Sequence, residues 1–393
     1  MAIDRTRRFK LPGIQDLNKD QDEAMALPME GQHLIVGGPG TGKSVVALLR
    51  ARRLAQDGKT YRTLVYNRTL HHSNQHLFGN DHAFSAKTWD SWFRDIIRYL
   101  FNDVPTLEPE SPGDYRPIDW DSVKQLVQSL PDVRNHGDKF LVIDEGQDMP
   151  RAFYETLVCL GFENFYVAAD QNQQIHPERC SSRKDIEDVL ALETQDTIEL
   201  RINYRNTRPI ALLAQHFFPA DPASPRPDLP SSRSAATTPE LWTYGASGRS
   251  LEQIADHILQ MSDRNPRKLI GMITPDHNVR QKFVAALRRA SPRLDHGTPP
   301  IQTYASGQTK SLNFEHGGLM VINAQSCKGL EFDIAILADI DQHRPKRDRH
   351  ALKARFYVMI ARAREQVILL RTGDPCPVVD ELLPADPAIL VRK

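Results

Sequence analysis

A glycine-rich turn that ends in Gly-Lys-Ser is the segment of this sequence best suited to chemistry. The apolar residues 34–36 lead into the turn, which spans residues 37–44. Glycines let consecutive backbone N–H groups converge on phosphate oxygens, and the lysine can reach the β and γ oxygens of a nucleoside triphosphate. The serine hydroxyl can ligate Mg²⁺ at the positive N-terminus of the following helix. The predicted phosphate contacts are Gly38, Pro39, Gly40, Thr41, Gly42, Lys43 and Ser44.

Two adjacent carboxylates follow a second apolar strand, which is predicted at residues 139–143. Asp144 is predicted to hold Mg²⁺ together with Ser44, and Glu145 to orient and deprotonate the attacking water. An exposed Asp-Glu pair at a strand end is the structural alternative. A third apolar strand at residues 165–169 precedes polar residues, and it would deliver Gln173 towards the γ-phosphate as a sensor.

Composition limits the other possibilities. The 393 residues are enough for two or three domains, and 40% hydrophobic with 25% charged residues is ordinary for a globular protein. Fifty basic residues balance fifty acidic ones, so a nucleic-acid partner would need its basic residues gathered on one face. The four cysteines are too scattered for a zinc or iron–sulfur site. Without an apolar signal segment or membrane span, we expect a cytoplasmic protein that has no membrane partner.

The 27 prolines are unevenly distributed, with one group in residues 104–112 and a denser one in residues 219–239. Both stretches contain few residues that could form a core, so we predict surface loops or linkers there.

In their order along the chain, these segments resemble the motor motifs of superfamily 1 helicases, most closely those of the UvrD/Rep-like group. Residues 17–21 resemble the upstream Q motif, which implies that Gln21 contacts adenine. Motifs Ia and Ib correspond to residues 65–70 and 88–92, and they line the single-strand groove in relatives. Asp144 to Gln147 and Asp170 with Gln173 correspond to motifs II and III. The nucleic-acid contacts implied by these early motifs are Asn67, Arg68, Thr88, Trp89 and His176.

The later motifs carry the more specific resemblance. Residues 200–206 contain Asn-Tyr-Arg, which implies that Tyr204 stacks on adenine and that Arg205 reaches the γ-phosphate. Residues 326–333 resemble motif V, where Glu331 would contact the ribose, and Gln325 and Lys328 the nucleic-acid backbone. Residues 357–365 resemble motif VI, whose catalytic arginine corresponds to Arg362. The implied cofactors are ATP and Mg²⁺.

The resemblance implies an α/β fold of two RecA-like P-loop NTPase domains, each a mostly parallel sheet flanked by helices, with ATP in the cleft between them. The first domain would span 1–199, with a small insertion at about 90–138. The second would span 200–393, with a proline-rich loop at about 219–240. The family's large helical insertions have little room in this chain, so we expect a compact member.

The implied function is an ATP-dependent, Mg²⁺-dependent motor that translocates on, remodels or unwinds nucleic acid. The resemblance favours single-stranded DNA over RNA as its partner. A regulatory ATPase subunit that senses nucleic acid and licenses a partner nuclease or defence effector is the alternative. A P-loop kinase or GTPase would need an acceptor pocket or a base-reading motif, and the sequence contains neither.

Four further clusters have two interpretations each. The histidines in residues 71–82 could bind metal or belong to a polar loop, but carboxylate and cysteine partners at ligand spacing are missing. The aromatic residues Trp89, Trp92 and Phe93 could contact bases or form a helical core. Two basic segments, residues 343–350 and the N-terminal arginines, could contact phosphates or be solvated.

Overall fold

Two parallel β-sheets, each flanked by helices on both faces, form the structure, which is a computed structural model. It describes residues 3–7, 16–66, 86–109, 115–129, 136–173, 180–231, 236–245, 249–304, 312–344 and 348–393. The predicted α/β class with two mostly parallel sheets is confirmed, and every strand pair in both described sheets is parallel.

The first sheet belongs to what we call the first lobe and has the strand order β3-β2-β4-β5-β1-β6. Its strands are β1 (Gln32–Gly37), β2 (Tyr61–Val65), β3 (Ala86–Thr88), β4 (Phe140–Ile143), β5 (Asn164–Ala169) and β6 (Thr197–Leu200). Consecutive residues of β1 pack into different cores, Leu34 on one face of the sheet and Ile35 on the other. Because both faces are covered, the central strands have continuous apolar sequences instead of alternating ones.

The helices of the first lobe divide between these two faces. They are α1 (Lys19–Ala26), α2 (Lys43–Gln56), α3 (Trp89–Phe101), α4 (Trp120–Ser129), α5 (Arg151–Cys159) and α6 (Arg183–Val189). The first two cover one face, and α3 to α6 contribute to the core on the other. Trp92 and Phe93 of α3 are buried in that core, so the core interpretation of these two aromatic residues is confirmed.

The second lobe contains a seven-stranded sheet in the order β13-β7-β12-β11-β8-β10-β9. Its strands are β7 (Glu240–Tyr244), β8 (Leu269–Thr274), β9 (Ile301–Thr303), β10 (Gly318–Asn323), β11 (Phe332–Leu337), β12 (Ala363–Thr372) and β13 (Val391–Arg392). Its helices are α7 (Arg208–His216), α8 (Leu251–Arg264), α9 (His277–Arg289), α10 (Arg349–Ile360) and α11 (Pro377–Leu382). Helices α8 and α9 pack on one face, and α7, α10 and α11 pack on the other.

The N-terminal residues 3–7 contact the second lobe, although the sequence assigned the whole of 1–199 to the first domain. Thr6 forms an antiparallel bridge with His316. The Arg7 guanidinium lies 3.1 Å from Oδ2 of Asp333, the second residue of β11. Burial of this ion pair, together with backbone pairing, fixes the segment. The solvated interpretation therefore does not hold for Arg7, whose side chain is largely buried, while Arg8 and Lys10 lie outside the described residues.

The second proline-rich stretch is also more ordered than we expected. Residues 219–230, which we call the strap, run from the end of α7 towards β7 and lie against the first lobe. Ser224 and Pro227 are buried, and the Ser224 hydroxyl donates to Asp170 at 3.0 Å. The segment is a loop, as predicted, but Pro227 packs against Gly38 of the glycine-rich turn instead of facing solvent.

Candidate functional site

The glycine-rich turn between β1 and α2 surrounds the side chain of Lys43. The Lys43 ammonium donates to the carbonyl of Gly37 at 2.6 Å and to that of Gly38 at 3.0 Å. It also lies 3.5 Å from Asp170 Oδ2, and both side chains are nearly inaccessible to solvent. A cation held against a loop of backbone N–H groups is the arrangement that binds a polyphosphate.

Two glycines of this turn are required by close approach as well as by backbone conformation. Gly40 and Gly42 have φ values of 79° and 91°, which favour glycine. A Cβ at Gly42 would lie 2.2 Å from Gln21 Nε2, and one at Gly40 would lie 2.4 Å from Asn203 Oδ1. The turn is therefore packed between α1 and the segment that connects the lobes.

Gln21 is positioned by the glycine-rich turn and by its own helix. Its Nε2 donates to the Thr41 carbonyl at 2.9 Å, and its Oε1 accepts from the Asn18 N–H at 3.2 Å. These two bonds orient the amide and leave one N–H and one oxygen lone pair for another partner. The predicted contact with adenine is compatible with this geometry.

The arrangement of Asp144 matches what a Mg²⁺ ligand needs. Its Oδ1 accepts from the Glu145 N–H at 3.0 Å, whereas Oδ2 is buried without a hydrogen-bond partner among the described residues. Burial and the neighbouring Glu145 raise the pKa of Asp144 to about 6, and Ser44 and Lys43 oppose this rise. A buried carboxylate oxygen beside a serine hydroxyl suits a hard cation, so Asp144 and Ser44 fit the predicted metal ligands.

Glu145 is held in a strained backbone conformation at the end of β4. Its φ of 57° lies in the left-handed region, which a non-glycine residue adopts only when its surroundings require it. Gln147 Nε2 donates to Glu145 Oε2 at 2.6 Å. Burial raises the pKa of Glu145, but Lys328, then Arg362 and Lys43, outweigh burial and hold this pKa below its usual value. Glu145 is therefore kept ionised, as a general base requires.

Gln147 connects the two acidic segments of the first lobe. Its Oε1 accepts from the Asp170 N–H at 2.9 Å while its Nε2 binds Glu145. Asp170 is fully buried, and its Oδ1 accepts from the Asn172 N–H at 3.1 Å. The turn Gln171–Gln173 that follows carries the predicted sensor, whose side chain lies outside the described part of the structure.

The segment that connects the lobes crosses directly in front of the glycine-rich turn. The Tyr204 N–H donates to the Gly40 carbonyl at 2.9 Å, and the Tyr204 side chain is exposed, as a stacking platform must be. Arg205 donates to Glu331, which links the crossing segment to the second lobe. The Nε of Arg205 is a buried donor without a partner among the described residues. Glu331 therefore anchors Arg205, and this ion pair competes with the predicted ribose contact.

Arg362 is a buried arginine of the second lobe whose charge acts on this cluster. It lies after α10, is 1% exposed, and its Nε donates to the Val358 carbonyl at 3.0 Å. Its charge lowers the pKa of Glu145, and the pKa of Arg362 is itself lowered by burial and then by Arg205. Arg362, Arg205 and Glu145 therefore interact electrostatically across the junction of the two lobes.

Lys328 forms a second connection between the lobes, which the sequence did not predict. Its ammonium lies 2.6 Å from Oδ1 and 2.5 Å from Oδ2 of Asp148, and the two side chains are 2% and 4% exposed. It also lies 5.9 Å from the centre of the Tyr66 ring. In this arrangement the buried Lys328 ammonium is paired with a carboxylate, so its contact with nucleic acid stays a prediction that requires this pair to open.

The other predicted nucleic-acid contacts have different surroundings. Gln325 follows β10 and is exposed, so a nucleic-acid strand could reach it. Thr88 is partly exposed at the start of α3. Trp89 instead packs in an aromatic cluster, with its ring centroid 5.4 Å from Phe153. The predicted base contact is therefore not favoured for Trp89. Asn67, Arg68 and His176 lie outside the described residues, as do the histidines in residues 71–82 and residues 345–347 of the basic loop.

Four functional candidates were missed at the sequence level or left without a role: Gln147, Asp148, Asn172 and Ser224. Gln147 was part of a motif match, but its bridging role depends on two strands meeting in space. Asp148 follows the acidic pair by three residues, and this spacing on a 3₁₀ turn was the one available signal. Nothing local in the sequence indicates that Ser224 of the strap reaches Asp170.

Comparison with known proteins identifies part of the second lobe. The fold has two parallel sheets with a glycine-rich turn at their junction. Residues 318–370 match the model of the UvrD-like helicase C-terminal domain. This range contains Gln325, Lys328, Glu331 and Arg362. This match confirms the resemblance to UvrD/Rep-like superfamily 1 helicases for residues 318–370 of the second lobe.

A solved structure is similar to about half of the chain. It is the C-terminal domain of a "possible DNA helicase" from Lactobacillus plantarum WCFS1, with a TM-score of 0.34 and 18% sequence identity, over 48% of this chain and 98% of that chain. No curated protein matches the sequence. Within the described ranges, no helix is long and apolar enough to cross a membrane, and no group of three or more His, Cys, Asp or Glu side chains could hold a metal ion.

Proposed function

We propose that this protein is an ATP-driven motor that translocates on or remodels single-stranded nucleic acid, with DNA as its preferred partner. One observation carries the proposal: residues 204–206 are bonded both to Gly40 of the glycine-rich turn and to the carbonyls on either side of Arg362, so side chains expected to act on a triphosphate come from both lobes. Lys43 of the first lobe and Arg362 of the second both lower the pKa of the Glu145 carboxylate. Hydrolysis between two lobes can be coupled to their relative movement.

Each residue would have one task in hydrolysis. Lys43 and the N–H groups of the glycine-rich turn would bind the β- and γ-phosphates, and exposed Tyr204 would stack on the adenine. Glu145 would accept a proton from the attacking water, because its lowered pKa keeps it ionised. Arg362 and Arg205 would stabilise the charge that develops on the γ-phosphate, a contribution typically worth ~10³ to 10⁵ in turnover.

The residues around Asp144 fit a Mg²⁺ ion, which is implied by the triphosphate. Asp144 and Ser44 would hold it, since Asp144 Oδ2 is buried without a donor among the described residues. When bound, Mg²⁺ would neutralise charge on the β- and γ-phosphates. In this arrangement Lys43 is bonded to carbonyls and lies near Asp170, so it must turn towards phosphate when ATP binds.

The junction of the lobes suggests how hydrolysis is coupled to movement. The Asn206 side chain donates to the carbonyls of Ala361 and Ala363 beside Arg362, and Tyr204 in the same crossing segment is bonded to Gly40. A change at the triphosphate would therefore reach the arginine loop of the second lobe through a few residues. If both lobes grip one strand, repeated closing and opening moves the protein along it.

The test is ATPase activity titrated with single-stranded DNA, single-stranded RNA and duplex DNA of equal length. We expect Mg²⁺-dependent turnover that single-stranded DNA stimulates most, together with displacement of a protein roadblock from that strand. Lys43→Ala supplies the inactive control. Absence of Mg²⁺-dependent ATP hydrolysis under all these conditions would contradict the proposed function. Stimulation by DNA without roadblock displacement would contradict the motor part alone.

A further inference from the structure

The strap is in direct contact with the catalytic loops of the first lobe. Pro227 packs against Gly38 so closely that a Cβ on this glycine would lie 2.1 Å from Pro227 Cγ. The Ser224 hydroxyl donates to Asp170 Oδ1 at 3.0 Å. Because Asp170 is fully buried and its Oδ2 lies near Lys43, the strap contacts both segments that face the expected γ-phosphate.

Asn172 provides a second attachment for the strap. Its Nδ2 donates to the Ser224 carbonyl at 3.3 Å, and its Oδ1 accepts from the Asp221 N–H at 3.0 Å. Asn172 lies in the turn Gln171–Gln173 and is 2% exposed. Asp170 and Asn172 of the first lobe are therefore bonded to Ser224 and Asp221 of the strap, and the turn cannot shift without breaking these hydrogen bonds.

The other end of the strap is attached to the second lobe and to the crossing segment. The Gln215 side chain of α7 donates to the Pro227 carbonyl at 2.8 Å, and the Asp228 N–H donates to the Arg201 carbonyl at 2.8 Å. Helix α7 belongs to the core of the second lobe. The strap thus connects that core to Asp170 by a route separate from Arg205 and Arg362.

We propose that Ser224 is a positioning residue for ATP hydrolysis, which fixes Asp170 and the turn Gln171–Gln173 against the glycine-rich turn. This inference rests on the proposed function and extends it to the strap. Ser224 touches neither the nucleotide nor the metal ligands in this role. It acts through Asp170, so its loss should lower the rate of the chemical step more than the affinity for ATP.

The size of the effect follows from the type of bond. A neutral hydroxyl that donates to a buried carboxylate forms a charge-assisted hydrogen bond, and its removal leaves the acceptor with one donor fewer. Asp170 retains the Asn172 N–H and Lys43, so the carboxylate is not left without partners. We expect Ser224→Ala to lower kcat about tenfold and to change the KM for ATP by less than about twofold.

Three variants test this positioning role in the full-length chain. Ser224→Ala removes the hydroxyl, Ser224→Thr retains it, and Ser231→Ala removes a hydroxyl from an exposed residue just beyond the strap. We expect kcat to fall only in Ser224→Ala, to recover to within about threefold of the native value in Ser224→Thr, and to be unchanged in Ser231→Ala. An unchanged or increased kcat in Ser224→Ala, equal losses in the Ala and Thr variants, or a KM change as large as the kcat change would overturn the proposal.

Hydrogen–deuterium exchange supplies a readout that does not require activity. The amides of Asp170 and Asn172 are bonded to the Gln147 and Asp170 side chains, so loosening of the turn exposes them. We expect at least about fivefold faster exchange in a peptide covering residues 166–173 of Ser224→Ala, and native exchange in Ser231→Ala. Native exchange in both variants would refute the role of Ser224 in holding this turn. A native protein without ATPase activity would instead contradict the proposed function, while the exchange result would still decide whether Ser224 holds the turn.

Discussion

Replacement of Lys328 tests whether the buried ion pair with Asp148 joins the two lobes. Lys328→Met keeps most of the side-chain volume but removes the ammonium that lies 2.5 Å and 2.6 Å from the Asp148 oxygens. Asp148 would then be a carboxylate with 4% exposure and without its main counter-charge. Removal of one partner from a buried pair typically costs about 3–5 kcal/mol, because it leaves an uncompensated buried charge.

The same reasoning predicts that a second substitution rescues the first. In the double variant Lys328→Met/Asp148→Asn, no charge remains at this position, and replacement of a whole buried pair is often nearly neutral. We therefore expect the double variant to be more stable than either single variant. The exposed pair of Lys184 and Asp188 is the matched control, and Lys184→Met should leave the unfolding midpoint unchanged.

The pKa of Asp148 determines how the stability deficit of Lys328→Met changes with pH. Burial raises the pKa of Asp148 to about 7 even though Lys328 opposes the rise, so the folded-state pKa lies above the ordinary value of 3.8. A raised carboxyl pKa destabilises the folded state increasingly as pH rises between the unfolded and folded values. Loss of the ammonium raises the folded pKa further. The deficit of Lys328→Met should therefore be larger at pH 8 than at pH 6.

Urea unfolding of the full chain at pH 6, 7 and 8 measures these differences. Additive destabilisation in the double variant, or a deficit in Lys328→Met that is independent of pH, would refute the assignment of Lys328 and Asp148 as a buried ion pair. As a second check on the same variant, the salt dependence of single-stranded DNA binding should keep its native slope, since a buried lysine neutralises no phosphate.

Three further results are expected from the site. Lys43→Ala should abolish ATP turnover, and Glu145→Gln should retain bound ATP; turnover near the native rate in both, measured by phosphate release, would contradict these roles. Tyr204→Ala should weaken ATP binding about tenfold without changing the melting temperature, because this exposed ring stacks on the base; equal affinities by nucleotide titration would exclude stacking. The apparent affinity for Mg²⁺ should fall below pH 6, because the Asp144 pKa of about 6 means that protons then compete for the carboxylate. Isothermal titration of Mg²⁺ between pH 5 and 8 measures this affinity, and an affinity independent of pH would contradict the role of Asp144.

Local sequence patterns were sufficient for the elements of the fold. The apolar run before Gly37 and the glycine-rich turn predicted a strand followed by a helix, and β1 and α2 lie there. Continuous apolar segments predicted buried parallel strands, since sheets covered on both faces need no alternation. The two-lobed α/β class followed from the order of the motifs.

The contacts between distant segments could not be predicted in this way. Lys328 pairs with a residue 180 positions away, and Ser224 bonds a residue 54 positions away. A proline-rich composition predicts that a segment forms no core of its own, but it does not exclude packing of that segment on another loop. For this reason the tertiary contacts of the strap and of the N-terminal segment could not be predicted.

The claim that two lobes act on one triphosphate is tested most directly by single-turnover hydrolysis in Arg362→Ala and Arg362→Lys, beside Arg288→Ala, whose arginine is exposed on α9. Circular dichroism first establishes that the variants are folded. If Arg362 completes the site from the second lobe, hydrolysis of bound ATP falls by ~10³ or more in Arg362→Ala, while the affinity for ATP stays within about threefold of native. The rate recovers only partly in Arg362→Lys and is native in Arg288→Ala. A native rate of hydrolysis in folded Arg362→Ala would contradict the two-lobe site.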